Sequence, residues 1–123
     1  MPVNLRKLGP SFLAAMLLVG CCAAVMQPSL DGYQEGVVKS LNSKTETQIT
    51  FINRSSQEVR VYWLDFDGHR VLYKVLEAGD SYDQQTYLTH PWLVTDAHGK
   101  AWHIYFADAL PRVINIVSPD TKK

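Results

Sequence analysis

The sequence predicts an all-β domain, a small antiparallel β-sandwich of about seven strands, from three observations. From Thr47 onward apolar and polar residues alternate with period two, in runs of roughly four to eight residues rich in Val, Ile, Tyr, Phe and Trp. Turn-forming residues separate these runs at about the eight-to-twelve-residue spacing of a two-sheet sandwich. No segment carries the apolar stripe of an amphipathic helix, which argues against helical and βαβ folds.

The chain begins with a different kind of segment. Met1 to Gly20 has the form of an export signal, with Arg6 and Lys7 ahead of a short apolar run from Phe12 to Val19. That run is too short to span a bilayer. It ends in Leu18-Val19-Gly20-Cys21, which resembles the lipobox of bacterial lipoproteins, and the resemblance implies lipidation at Cys21. Secretory cleavage after Ala24, with Cys22 and Ala24 as the small residues such a site requires, is the alternative. Both readings export the domain, the first as a membrane-anchored lipoprotein of the bacterial cell envelope, the second as a secreted or periplasmic protein. Cys21 and Cys22 are the only thiols, so the folded part has neither a disulfide framework nor a cysteine metal cage.

Residues 21–44 follow as an expected tether, with Gly36 to Leu41 able to add an edge strand. The sandwich is expected over residues 45–118, and residues 119–123 as a tail. Its strands are expected at Gln48 to Asn53, Glu58 to Leu64, Arg70 to Val75, Ser81 to Thr86, Trp92 to Thr95, Ala101 to Ala107 and Arg112 to Val117. Asp67-Gly68 is the strongest hairpin signal, because the glycine supplies the positive φ that a tight turn needs. Asn53 is expected to fix the loop after the first strand. Alternation places Val59, Val61 and Trp63 on one face, and it groups Val71 with Tyr73 and Val75, and Trp102 with Ile104 and Phe106.

Charge and composition exclude several functions. The 12 basic and 12 acidic residues balance, and without Arg6 and Lys7 the count is 10 against 12, a net of −2. A nucleic-acid surface needs a basic stripe to displace counterions, and none is present. Asp65-Phe66-Asp67-Gly68 hints at calcium but lacks the remaining ligands of an EF-hand loop, so no metal is expected. The serines sit in no nucleophile elbow and nothing resembles a hydrolase motif. The expected protein is not an enzyme and uses no cofactor.

One stretch carries more specific information. Between Ile49 and Asp96 come Asn53-Arg54-Ser55, then Trp63-Leu64-Asp65-Phe66-Asp67-Gly68, then Tyr73, and finally Thr86, His90 and Trp92. That order resembles the β-domain of the von Hippel-Lindau tumour suppressor family over roughly Thr45 to Val117. The resemblance implies a small sandwich that recognises a hydroxylated proline in an extended peptide. It assigns the pocket to Trp63, Tyr73, Thr86, His90 and Trp92, with Thr86 standing where the family has a serine. The family's best-known members follow the β-domain with a helical domain that docks ubiquitin-ligase machinery. Here the sequence ends at Lys123, and no ligase machinery is expected as a partner.

The pocket that the resemblance implies has a physical rationale. Flat aromatic walls hold a proline ring without loss of rotamer freedom, and extended proline-rich segments are preformed for binding. A hydroxyl and an imidazole could pair with a ligand hydroxyl in a dry site, as Thr86 and His90 would. Taken singly, each aromatic reads better as sandwich core, His90 as a loop residue and Thr86 as a strand end, and only their shared order favours a pocket. If Trp92 is a wall, Trp92→Ala should remove binding at less cost than a core deletion of about 3 to 5 kcal/mol. The alternative to a peptide-binding module is a structural or scaffolding envelope lipoprotein with a vestigial pocket, pairing through a sheet edge.

Overall fold

The computed structural model describes residues 29–119. The signal, the lipobox and Cys21 lie outside the described residues. Among the described residues eight strands form: β1 (Leu30–Asp31), β2 (Glu46–Asn53), β3 (Val59–Leu64), β4 (Arg70–Leu76), β5 (Ser81–Tyr87), β6 (Pro91–Asp96), β7 (Ala101–Phe106) and β8 (Arg112–Ile116). They build a five-stranded sheet in the order β1-β7-β6-β3-β4 and a three-stranded sheet in the order β5-β2-β8. All pairs are antiparallel except β2 with β8, which run parallel from Ile49 opposite Arg112 to Asn53 opposite Ile116. That pair is the departure from a purely antiparallel sandwich.

Two hairpins use the same chemistry. In Asp65-Phe66-Asp67-Gly68 the Asp65 carboxylate accepts the backbone N–H groups of Asp67 and His69 at 2.9 and 2.8 Å, and Gly68 turns with a φ of 83°. In Asp96-Ala97-His98-Gly99 the Asp96 carboxylate accepts from His98 and Lys100, both at 2.9 Å, and Gly99 has a φ of 87°. Backbone donors hold both carboxyls below their ordinary range. Asn53 is fully buried and saturated: its amide donates to the Gln57 and Leu76 carbonyls, and its oxygen accepts from the Ser55 N–H and hydroxyl. This bears out the loop-fixing role expected of it.

Between the sheets lies the main core, with Ile49, Phe51, Val59, Val61, Val94, Ile114 and Ile116 all fully buried. Strict alternation fails at two bulges, where an extra residue re-aims the strand. Opposite β3, Val75 pairs with Arg60 and Val71 with Trp63, leaving Tyr73 without a partner in register. Tyr73 therefore packs on Trp63 and Trp92, while Val75 goes to the face of Arg60. The expected grouping of Val71, Tyr73 and Val75 is corrected by one residue. Trp102 is likewise the unpaired residue of β7 and joins the inter-sheet core, whereas Ile104 and Phe106 pack on the outer face.

That outer face explains why residues 29–44, the described part of the expected tether, pack onto the sheet. Leu64, Leu93 and Ile104 are fully buried there, beneath Val38, Tyr62, Ala101 and Phe106. Burying each such side chain contributes roughly 1.5 to 3 kcal/mol. Leu30 pairs opposite Ile104, and a 3-10 helix spans Gly32–Val37 in place of the possible edge strand from Gly36. Gly32 backs onto Ala101 so closely that a Cβ would lie 2.6 Å from it. Arg70 then clasps Glu35 through two N–H donors, at 2.8 and 2.9 Å. These partners are 35 residues apart, so local sequence cannot announce them.

Candidate functional site

All five residues named by the sequence line one cavity of about 270 Å³ at the open seam between the sheets. Trp63 comes from β3, Tyr73 from β4, Thr86 from β5, Trp92 from β6, and His90 from the turn before β6. Strands β4 and β5 each form the edge of their own sheet, so the cavity opens where both sheets end. Tyr73 sits at the bulge of β4 and keeps the face of Val71 and Trp63, which brings it against Trp92.

The rings meet edge to face. Tyr73 stands at 83° to Trp92 with centroids 5.0 Å apart, and at 80° to Trp63 at 6.4 Å. Trp63 lies 5.7 Å from the His90 ring. Sequence reasoning missed four lining residues: Phe66, Gln84, Gln85 and Tyr87. Phe66 reads as a hairpin residue, yet its half-exposed ring stands edge-on to both Trp63 and His90, at 5.5 and 5.6 Å. Only its place in an aromatic cluster with Trp63 could have pointed to it.

The walls are not equally exposed. Tyr73 is 46% exposed, whereas Trp92 is 2% exposed and also packs on Phe51 in the inter-sheet core. Trp92 is core and wall together, which overturns the expectation that its deletion costs less than a core deletion. Its indole N–H donates to the Thr86 hydroxyl oxygen at 2.9 Å. Among the described residues the Thr86 O–H itself donates to no protein group. It keeps one donor for a ligand.

His90 is held from three sides. Its backbone N–H donates to the Tyr87 carbonyl at 3.1 Å and its own carbonyl accepts from Ala107 at 3.1 Å. Thr89 turns the chain into it with a φ of 75°, a left-handed conformation that β-branched residues disfavour. The ring Nε2 sits 3.1 Å from the Leu41 carbonyl, while Nδ1 has no partner among the described residues. Burial pushes the imidazole pKa below its ordinary value, so at neutral pH the ring is uncharged. Thr86 and His90, both lining the cavity among aromatic walls, thus carry one uncommitted hydroxyl donor and one bare ring nitrogen.

Other groupings carry less. Asp65, Asp67 and His69 have oxygen and nitrogen atoms within 4.8 Å of one another, but the Asp65 carboxylate is engaged in closing the hairpin. A larger hollow of about 790 Å³ lies between the 3-10 helix and the β3–β4 turn, bordered by Tyr33, Lys39, Asp67 and His69. None of the five sequence-named residues borders it.

Comparison with known proteins adds a family. A solved NMR structure of a protein from Eubacterium rectale is similar at 20% identity and a TM-score of 0.37, over 63% of this chain and 84% of that one. At that TM-score the likeness adds nothing to the assignment. The VHL beta domain family matches residues 38–101, a span that holds every one of the five cavity residues. Domains of this family are substrate-recognition modules. With more than half of its 123 residues matched, the chain belongs to the VHL beta domain family.

Proposed function

We propose that this domain binds an extended peptide segment presenting a proline ring, and that a hydroxyl on that ring is read by Thr86 and His90. The observation that carries the reading is the single cavity shared by Trp63, Tyr73, Thr86, His90 and Trp92. At about 270 Å³ it lies below the roughly 300 to 1,000 Å³ of ordinary small-molecule clefts and suits one compact ring. Its mouth lies along two sheet edges, where unpaired backbone groups suit an extended chain.

The polar pair supports an alcohol in particular. Thr86 O–H can donate and the bare His90 nitrogen can only accept, and a hydroxyl group satisfies both at once. A plain proline would leave both unpaired after water is expelled, at about 1 to 3 kcal/mol, which corresponds to roughly 5- to 150-fold in affinity. Isothermal titration with matched peptides carrying proline or 4-hydroxyproline tests the proposal. The hydroxylated peptide should bind more tightly by about tenfold or more. Failure to bind either peptide would favour a scaffolding role with a vestigial pocket.

The protein acts in this reading as an exported binding module tethered by a lipid at Cys21. Replacing Cys21 with Ala should block lipidation and release the chain from membrane fractions. Unchanged membrane association in the variant would defeat the anchor.

A further inference from the structure

The segment from Val38 to Leu41 is tied to the backs of two cavity residues. Ser40 is 2% exposed and paired on both sides, its hydroxyl accepting the Trp63 indole N–H at 2.7 Å and donating to the Leu64 carbonyl at 2.7 Å. Its backbone N–H donates to the Asp65 carbonyl at 3.0 Å. One residue on, the Leu41 carbonyl meets His90 Nε2 at 3.1 Å. Neither Ser40 nor Leu41 borders the cavity.

These contacts fix two chemical states. A carbonyl oxygen only accepts, so the 3.1 Å contact requires the imidazole proton on Nε2. A neutral imidazole has one N–H, which leaves Nδ1 bare. In the other tautomer, Nε2 and the Leu41 oxygen would face each other as two acceptors. The Trp63 ring is constrained in the same way, because turning it over would carry its only donor away from the Ser40 oxygen and give up that hydrogen bond. The strap is itself anchored upstream, where Arg70 clasps Glu35 in the 3-10 helix.

We propose that Val38–Leu41 is a positioning strap for the ligand site, in which Ser40 sets the orientation of the Trp63 ring and the Leu41 carbonyl holds His90 as its Nε2–H tautomer with Nδ1 as acceptor. Ser40 is the positioning residue, and it sets selectivity without touching ligand. Its effect on affinity rests on the peptide-binding reading above, but the tautomer and the ring orientation belong to the unliganded chain. Loosening the strap lets an N–H appear where a ligand O–H would donate, so discrimination falls before binding does.

Nitrogen-15 NMR of the full-length chain tests this without ligand. Wild type should show His90 as a single Nε2–H tautomer and a Trp63 indole N–H protected from exchange. Ser40→Ala should give a mixture of His90 tautomers and speed exchange of the Trp63 N–H by about tenfold or more. Ser40→Thr, which keeps the hydroxyl, should retain the wild-type pattern. With matched peptides, Ser40→Ala should reduce the ratio of hydroxyproline to proline affinity by about tenfold. A wild-type His90 protonated on Nδ1 would overturn the proposal, as would a Ser40→Ala variant with unaltered tautomer and unaltered ratio. Should wild type bind neither peptide, the ligand reading fails while the tautomer still decides the strap. The wild-type spectrum also decides if Ser40→Ala does not fold.

Discussion

Replacing Thr86 with Val isolates the contact on which the polar side of the cavity depends. Valine keeps the shape of threonine but removes the oxygen that accepts the Trp92 indole N–H at 2.9 Å. Both residues are nearly sealed, at 3% and 2% exposure, so water cannot replace the lost partner. An unpaired buried donor costs about 1 to 3 kcal/mol. At roughly 4 to 8 °C per kcal/mol for a domain of this size, a loss of about 2 kcal/mol lowers the melting temperature by about 8 to 16 °C. Thr86→Ser retains the oxygen and loses one methyl, a cost nearer 1 kcal/mol. Thermal unfolding followed by circular dichroism should therefore rank wild type above Ser and Ser above Val. The same Val variant should bind the hydroxyproline peptide about tenfold or more weakly while its proline affinity hardly changes. A Val variant that melts with wild type and still prefers the hydroxylated peptide would refute the reasoning.

Trp92→Ala should destabilise by about 3 to 5 kcal/mol, because the ring is part of the inter-sheet core as well as a wall, and denaturant titration measures it. Tyr73→Ala should behave oppositely, losing about 1 to 2 kcal/mol from two ring contacts at a half-exposed edge while calorimetry shows peptide binding gone. For His90, burial lowers the folded pKa below 6.5, so below that pH the unfolded chain takes up the proton first. The His90 contribution to stability is then flat above about pH 6.5 and turns increasingly unfavourable as pH falls toward the depressed folded value. Chemical denaturation across pH should show this decline in wild type and less of it in His90→Gln. Affinity for a hydroxyl-bearing ligand should weaken on the same acid side, where Nδ1 ceases to accept.

The sandwich was legible because period-two runs and Asp-Gly turns report on nearest neighbours, and both hairpins form where Asp65 and Asp96 close them. The five cavity residues were legible as a set only through the family's ordered motif. No periodicity distinguishes Trp63, which opens to the cavity, from Trp102, which is packed away. Bulges defeated face assignment at Val75 and Trp102, since one inserted residue reverses the pleat and leaves no mark in composition. Ser40 and the Arg70–Glu35 clasp were invisible for another reason. Their partners lie 23 and 35 residues away, and a serine in a polar stretch looks like linker until the outer sheet face is seen to need a cover.

The three tryptophans offer a direct measurement, because each gives its own indole N–H resonance and only two of them border the cavity. Titrating the nitrogen-15-labelled chain with a hydroxyproline peptide should shift the Trp63 and Trp92 indole signals to saturation and leave Trp102 in place. Signals that stay fixed at all three, or a shift confined to Trp102, would contradict a ligand seated between those rings.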